Sequence, residues 1–308
     1  MTTALFTHED CFDHVTPPGH PEQVARLDAV LTALEGLPLK RHAAPLAADD
    51  DILLAHPSAY LDRIKSAVPD AGWAQLDADT HMSSGSLAAA YRAVGGAVRA
   101  VDLVLDGTRR NAFVATRPPG HHAERETAMG FCLFGNIAIA AKHALERHGL
   151  ERVAIIDFDV HHGNGTQDLV DGDDRILFIS SHQMPLYPGT GDPRENAMSD
   201  TIRNFALRDG DGGPEFRKLY TREVFPLVAD FAPQLILISA GFDAHAADPL
   251  AGLRLVEEDF AWVTEKICDL ADEFCEGRLV SLLEGGYDLV ALGNSARAHV
   301  TVLEERGR

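Results

Sequence analysis

Short apolar runs alternate with longer amphipathic stretches along most of the chain. Six runs of four to six residues, rich in Val, Ile, Leu, Ala and Phe, read as strands buried on both faces: 4–7, 112–116, 153–157, 176–180, 235–240 and 279–283. Seven longer segments carry a helical pattern: 21–34, 58–68, 86–106, 136–148, 214–231, 257–276 and 289–304. Strands that alternate with helices predict a mainly parallel sheet covered by helices on both faces. No Ser/Gly-rich linker or internal repeat divides the chain, so residues 1–308 are expected to form a single α/β domain.

In such a sheet the ligand site lies beyond the carboxyl ends of the strands. Five of the six predicted strands run into polar clusters there. Segment 112–116 leads into Arg117-Pro118-Pro119-Gly120-His121-His122, and 153–157 leads into Asp157-Phe158-Asp159-Val160-His161-His162-Gly163-Asn164. The others end in Ser180-Ser181-His182, in Gly241-Phe242-Asp243-Ala244-His245 and in Glu284-Gly285-Gly286-Tyr287.

The second of these clusters is the most informative. Asp157, Asp159 and His161 occupy alternate positions, so on an extended strand all three face the same way, and the glycines after them are expected to end the strand. Two carboxylates and an imidazole there make half of a divalent metal site. Asp243, at another strand end, is the natural third ligand beside Asp159 and His161. One nitrogen and two carboxylate oxygens suit zinc or ferrous iron, with room for water and a substrate oxygen. A structural zinc is usually closed by four ligands rich in cysteine. Here Cys11, Cys132, Cys268 and Cys275 form no CxxC pair and read as buried and reduced. His162 and His245 are spare imidazoles, read as loop braces.

Either ring of the adjacent His121 and His122 could take a proton from an attacking water and later deliver one to a leaving amine. Asp157 can hold one imidazole by its Nδ1–H, and Asn164 is placed to orient the other. Tyr287, after a Gly-Gly turn, offers a phenol to a developing oxyanion.

Charge narrows the partners. Lys plus Arg number 27 against 47 Asp plus Glu, a formal net charge of −20. Such a surface repels nucleic acid and anionic membranes, and it draws in cationic small molecules or basic peptides, or simply keeps the protein in solution. No apolar run reaches the roughly 18 residues that span a bilayer. The N-terminus lacks the basic start and cleavage site of a signal peptide, so the cytoplasm is the expected location.

The set of motifs resembles the histone deacetylase and acetylpolyamine amidohydrolase superfamily. The resemblance rests on Arg117 to His122, Gly130-Phe131-Cys132, Asp157 to Thr166, Tyr187-Pro188-Gly189-Thr190-Gly191, Gly241-Phe242-Asp243 and Glu284 to Tyr287, in that order. His20-Pro21-Glu22 and Arg26 extend it toward the N-terminus. It implies an arginase-like α/β fold, with a central eight-stranded parallel sheet flanked by helices, and zinc-dependent hydrolysis of N-acyl amides. It further implies Asp159, His161 and Asp243 as zinc ligands, His121 as the imidazole paired with Asp157, His122 as general base and Tyr287 as the group that polarises the carbonyl. Gly130, Phe131 and Tyr187 resemble the tunnel that grips the substrate's alkyl chain. Asp157, Asp159, His161 and Ser180, with the backbone of Ser181, fall where the family often holds a structural potassium ion, and Arg26 falls near its acetate exit. Asn164 stands where many nuclear-type members carry aspartate and Glu284 where they carry glycine, as in the class II and bacterial branch.

The expected function is hydrolysis of acetyl or other short acyl groups from primary amines such as acetyl-lysine or acetylpolyamines. Two alternatives are weighed against it. A non-catalytic module that binds acylated ligands would have no need for Tyr287, His121 and His122 together. An arginase-like dimanganese ureohydrolase would need further carboxylates, where this chain has histidines and glycines. The segment 70–84 is short beside the loop insertion of dimeric polyamine deacetylases, which implies an open mouth and a broader substrate range. A homo-oligomer stays open.

Overall fold

The computed structural model describes residues 2–308. In chain order the first half contains β1 (Ala4–Thr7), α1 (Ala25–Ala33), β2 (Lys40–Ala43), α2 (Asp49–Ile52), α3 (Ser58–Ser66), β3 (Ala74–Gln75), β4 (His81–Met82), α4 (Ser86–Leu105), β5 (Asn111–Val114) and α5 (Asn136–His148). The second half contains β6 (Val153–Asp157), α6 (Asn164–Val170), β7 (Ile176–Gln183), β8 (Ile202–Leu207), α7 (Gly213–Leu219), α8 (Phe225–Phe231), β9 (Leu235–Ala240), α9 (Glu257–Phe274), β10 (Leu279–Leu283) and α10 (Leu289–Gly307).

Among the described residues, eight strands form one sheet in the order β2-β1-β5-β10-β9-β6-β7-β8. Every pairing in it is parallel. β3 and β4 pair antiparallel outside it. All six strands expected from the apolar runs are present. The two strands of the eight-stranded sheet that the pattern did not show, β2 and β8, are its edges, and the short pair β3 and β4 was not shown either. β2 reads Lys40-Arg41-His42-Ala43 and is largely exposed, and β8 buries Ile202, Asn204 and Leu207 but leaves Arg203, Phe205 and Ala206 less covered. An edge strand has one neighbour and is commonly polar, which hides it from a search for apolar runs.

The pleat divides the apolar residues between two cores. Val153 and Ile155 of β6, with Val280 and Leu282 of β10, join the core beneath α4 and α5. Ala154 and Ile156, with Leu279 and Leu283, join the core beneath α1, α9 and α10. The segment expected as one helix over 214–231 is α7 and α8 joined by a π-helical turn, Tyr220–Val224. Pro226 lies just beyond that turn and has no N–H to return to the carbonyl one turn back, which favours the wider turn.

One expectation changes. β6 ends at Asp157, and bends follow at Asp159, Val160 and His161, so the strand stops before the glycines rather than at them. Asp159 and His161 therefore owe their direction to the bends. Phe158 and Val160 are still drawn into the core beneath α9 and α10, which keeps the alternation going without a ladder.

His299 of α10 fastens that core. It is fully buried between Thr264 Oγ1 of α9 at 2.6 Å and Ser281 Oγ of β10 at 2.8 Å, and burial pushes its pKa down to about 3. The unfolded chain takes up this proton below about pH 6.5 and the folded one does not, so stability falls as pH drops through that range. His299→Gln, which keeps a donor and an acceptor, should shrink the loss between pH 7 and pH 5 by about 2 kcal/mol. Urea unfolding of both proteins at the two pH values measures it, and equal losses would remove His299 as a cause.

Candidate active site

The carboxyl ends of β6, β9 and β10, three neighbouring strands, bring together the groups that the sequence singled out. One ligand atom from each of Asp159, His161 and Asp243 lies within 4.8 Å of the others. His161 Nδ1 faces both carboxylates, at 3.1 Å from Asp159 Oδ1 and 3.2 Å from Asp243 Oδ2. Backbone N–H groups hold the remaining oxygens: Gly285 donates to Asp159 Oδ2 at 2.9 Å and Val160 to Asp243 Oδ1 at 2.9 Å. Gly285 has to be glycine, because a Cβ there would stand 2.0 Å from Asp243 Oδ2 and 2.6 Å from Asp159 Oδ2.

The donor set fits a divalent cation of the zinc or iron type. All three side chains are buried. Burial opposes a charge on His161, yet its hydrogen bonds to Asp159 and Asp243 raise its pKa to about 10. Two buried carboxylates facing one imidazole leave the cluster short of positive charge, which a metal ion would supply.

Beyond β5 the chain turns through Pro118, Pro119 and Gly120 and sets two imidazoles side by side, with ring centroids 4.0 Å apart. Their partners are those the sequence suggested. His121 Nδ1 lies 3.0 Å from Asp157 Oδ2, and His122 Nδ1 lies 2.7 Å from Asn164 Oδ1. Burial works against a charge on both rings. On His121 the charges of Asp159 and Asp157 overcome it and hold the pKa well above the usual value. On His122 burial is joined by the neighbouring His121 and His161, and the pKa falls well below the usual value. Two adjacent histidines thus take opposite states, one charged beside a carboxylate and one neutral beside an amide.

A cavity of about 230 Å³ opens onto these groups, lined by His122, His161, Gly130, Phe131, Tyr187 and Tyr287, with Asp79, Leu186 and Leu250 around them. Tyr187 stands edge-on to His122 at 5.2 Å and Phe131 edge-on to Tyr287 at 5.9 Å. Gly130 has φ +55°, and a Cβ there would meet the His122 ring at 2.4 Å. Burial raises the Tyr287 phenol well above its usual pKa, against the pull of Arg26, whose guanidinium carbon lies 4.9 Å from the ring centroid. The hydroxyl therefore keeps its proton.

Other expected residues settle nearby. The register sets Asp157 of β6 opposite Ser180 of β7. Ser180 Oγ pairs with His182 Nδ1 at 3.0 Å and Ser181 Oγ with Tyr220 Oη at 2.8 Å. His162 bridges Thr190 and Gln167, and His245 bonds the Ala247 N–H, so both brace loops. Sequence reasoning missed Asp79, Leu186 and Leu250 as lining, because they lie on loops away from the strand ends. It read Glu284 only as a mark of lineage. In the fold its Oε2 accepts from the backbone N–H of Gly120 at 2.7 Å and of His121 at 3.2 Å, which fixes the turn that carries both histidines. Sequence reasoning missed Asp248 as well, whose Oδ2 accepts from the Tyr287 N–H at 2.7 Å.

Residues 20–303 match the family model described as the histone deacetylase domain. The chain is 41% identical over 311 residues to a histone deacetylase-like amidohydrolase of Pseudomonas aeruginosa, covering 92% of this chain and 81% of that one. It is 43% identical over 299 residues to the uncharacterised protein slr0245 of Synechocystis, covering 95% and 96%. Among solved structures it is similar to the HDA15 HD domain, with a TM-score of 0.93 at 31% identity, over 99% of this chain and 88% of that one.

The tight fit at Gly285 yields a test of the geometry itself. Gly285→Ala forces Asp243 or the turn to move, and overpacking of this kind costs about 1–3 kcal/mol. A denaturant midpoint lowered to that extent, with an unchanged m value, is the expected outcome. An unchanged midpoint would mean that the carboxylates have room to give.

Proposed function

The chain belongs to the histone deacetylase family and has its arginase-like fold, and on that premise we propose that it hydrolyses short N-acyl amides, acetyl amides above all, of primary amines such as acetyl-lysine or acetylpolyamines. The observation that carries this reading is that His122, His161 and Tyr287 line one cavity, with Asp159 and Asp243 grouped around His161.

Asp159, His161 through Nδ1, and Asp243 would hold zinc, or ferrous iron, which the same donors suit. Once bound, the metal supplies Lewis acidity toward the acyl carbonyl and makes water a stronger acid. The remaining work falls to the chain. With its Nδ1–H donated to Asn164 Oδ1, His122 has Nε2 free to take a proton from the attacking water and to return one to the departing amine. His121 with Asp157 forms a charge-balanced pair beneath it, which stabilises the developing charge without changing protonation. Tyr287 donates its O–H to the oxyanion as it forms. Phe131 and Tyr187 flank a slot that admits an unbranched alkyl chain, and Gly130 keeps His122 uncovered. Asp79 at the mouth and the net charge of −20 favour a substrate with cationic groups or N–H donors beside the acylated amine.

A structural potassium ion among Asp157, Asp159, His161, Ser180 and Ser181 belongs to the same reading, supported by the side-by-side register of β6 and β7. The partner is an acylated amine, small molecule or peptide, rather than nucleic acid or membrane, and the place of action is the cytoplasm. No helix among the described residues is long and apolar enough to cross a membrane.

The direct test is a panel of acetyl-lysine peptides, acetylated polyamines and small acyl amides offered to zinc-loaded protein, with release of free amine measured. Failure to turn over any of them would overturn the proposal. Asp243→Ala should lose the metal of this site and all activity, read by metal analysis beside the assay. Tyr287→Phe should bind an acyl-amide ligand about as well as the parent but turn it over about 10²–10³-fold more slowly in single-turnover measurements. Unchanged turnover would mean that another group is the donor.

A further inference from the structure

A second cluster of metal-ligating side chains lies outside the site described above. Asp102 of α4 and His143 and His148 of α5 bring their ligand atoms within 4.8 Å of one another. Nε2 of each imidazole lies 2.8 Å from the same oxygen, Asp102 Oδ1, and the two ring centroids are 5.3 Å apart. We propose that Asp102, His143 and His148 form a second site for a divalent transition metal of the zinc or nickel type, which staples α4 to α5.

The donor set carries the argument. Two imidazole nitrogens and one carboxylate oxygen suit borderline metals and not calcium or magnesium, which take oxygen ligands. With bonds of about 2.0–2.1 Å, tetrahedral donors sit about 3.3 Å apart, so the observed separations from Oδ1 need to open by about half an ångström. Side-chain rotation supplies that much. Asp102 is half-buried, and its Oδ1 faces both imidazoles at once, so a single carboxylate oxygen stands at the centre of the cluster.

The surroundings fit as well. His143 is buried in the helix interface, and its Nδ1 has no hydrogen-bond partner, so Asp102 alone aims the ring. Arg99 Nη1 lies 3.5 Å from Asp102 Oδ2 and leaves Oδ1 to the cluster. His148 ends the helix and is exposed, which gives a metal its way in and leaves positions for water.

The position gives the site a structural task. α5 begins against the turn that carries His121 and His122, where Asn136 Nδ2 donates to the Pro118 carbonyl. Its 13 residues then run about 20 Å to His148, so an ion there is far from the cavity. It ties the last turns of two helices that cover one face of the sheet.

Zinc titration of chelator-stripped protein against a chromogenic zinc indicator, at protein concentrations where binding is stoichiometric, tests the proposal independently of activity. Two equivalents are expected for the parent, one for His148→Ala, one for Asp243→Ala and none for the double variant. Added zinc should raise the Tm of Asp243→Ala and leave that of the double variant unchanged. His148 is exposed, so its replacement leaves the fold intact. If His148→Ala binds as many equivalents as the parent, or zinc leaves the Tm of Asp243→Ala unmoved, the second site does not exist. A deficit in His148→Ala with none in Asp243→Ala would support this site and overturn the metal assignment in the cavity instead.

Discussion

Asp157, Asp159, Asp243 and Glu284 are withdrawn from water at the ends of three neighbouring strands, and carboxylates so placed must be compensated on the spot. The rest of the structure is arranged to do this. His121 sits against Asp157, His161 against Asp159 and Asp243, and backbone N–H groups of Val160, Gly285, Gly120 and His121 point at oxygens that no side chain reaches. The unmet remainder is positive charge, and Asp159 and Asp243 are two of the three grouped donors that could hold a cation. The same crowding explains Gly285, where a Cβ would stand 2.0 Å from Asp243 Oδ2.

A second buried network holds these parts in register. Glu22 takes ion pairs from both Arg26 and Arg117, and all three are buried. Arg26 then donates to the carbonyls of Glu284 and Gly286, on either side of the turn that leads to Tyr287, while Asp248 accepts from the Tyr287 N–H. The N-terminal segment thus reaches across the sheet to fix the phenol. An ion network of this kind adds little net stability once desolvation is counted, but removing one partner would leave an uncompensated buried charge.

The paired histidines show how one environment can produce two chemistries. Their rings are 4.0 Å apart and both are buried, so the difference comes from their partners. A carboxylate on Nδ1 favours the imidazolium, and an amide oxygen in the same place merely orients a neutral ring. Asn164 is itself held by Glu124 Oε1 at 2.7 Å, so the amide presents its oxygen and not its nitrogen to His122.

Much of this was legible in the chain. Apolar runs marked the six inner strands because strands buried on both faces carry mostly apolar side chains, and Asp157, Asp159, His161, Asp243, His121, His122, Asn164 and Tyr287 announced themselves by residue type at the ends of those runs. The edge strands β2 and β8 did not, since each has a neighbour on one side only and polar side chains interrupt its run, Lys40-Arg41-His42 in β2 and Arg203-Asn204 in β8. Strand order, and with it the neighbourhood of β6 and β9 that brings Asp243 to Asp159, is a matter of non-local pairing that no local pattern encodes. The roles of Glu284 and Asp248, and of Asp79, Leu186 and Leu250 around the cavity, were likewise decided only in three dimensions. Each acts through contact with a segment at least 30 residues away or faces a cavity built from several loops, and local sequence carries no record of which distant backbone a side chain will meet.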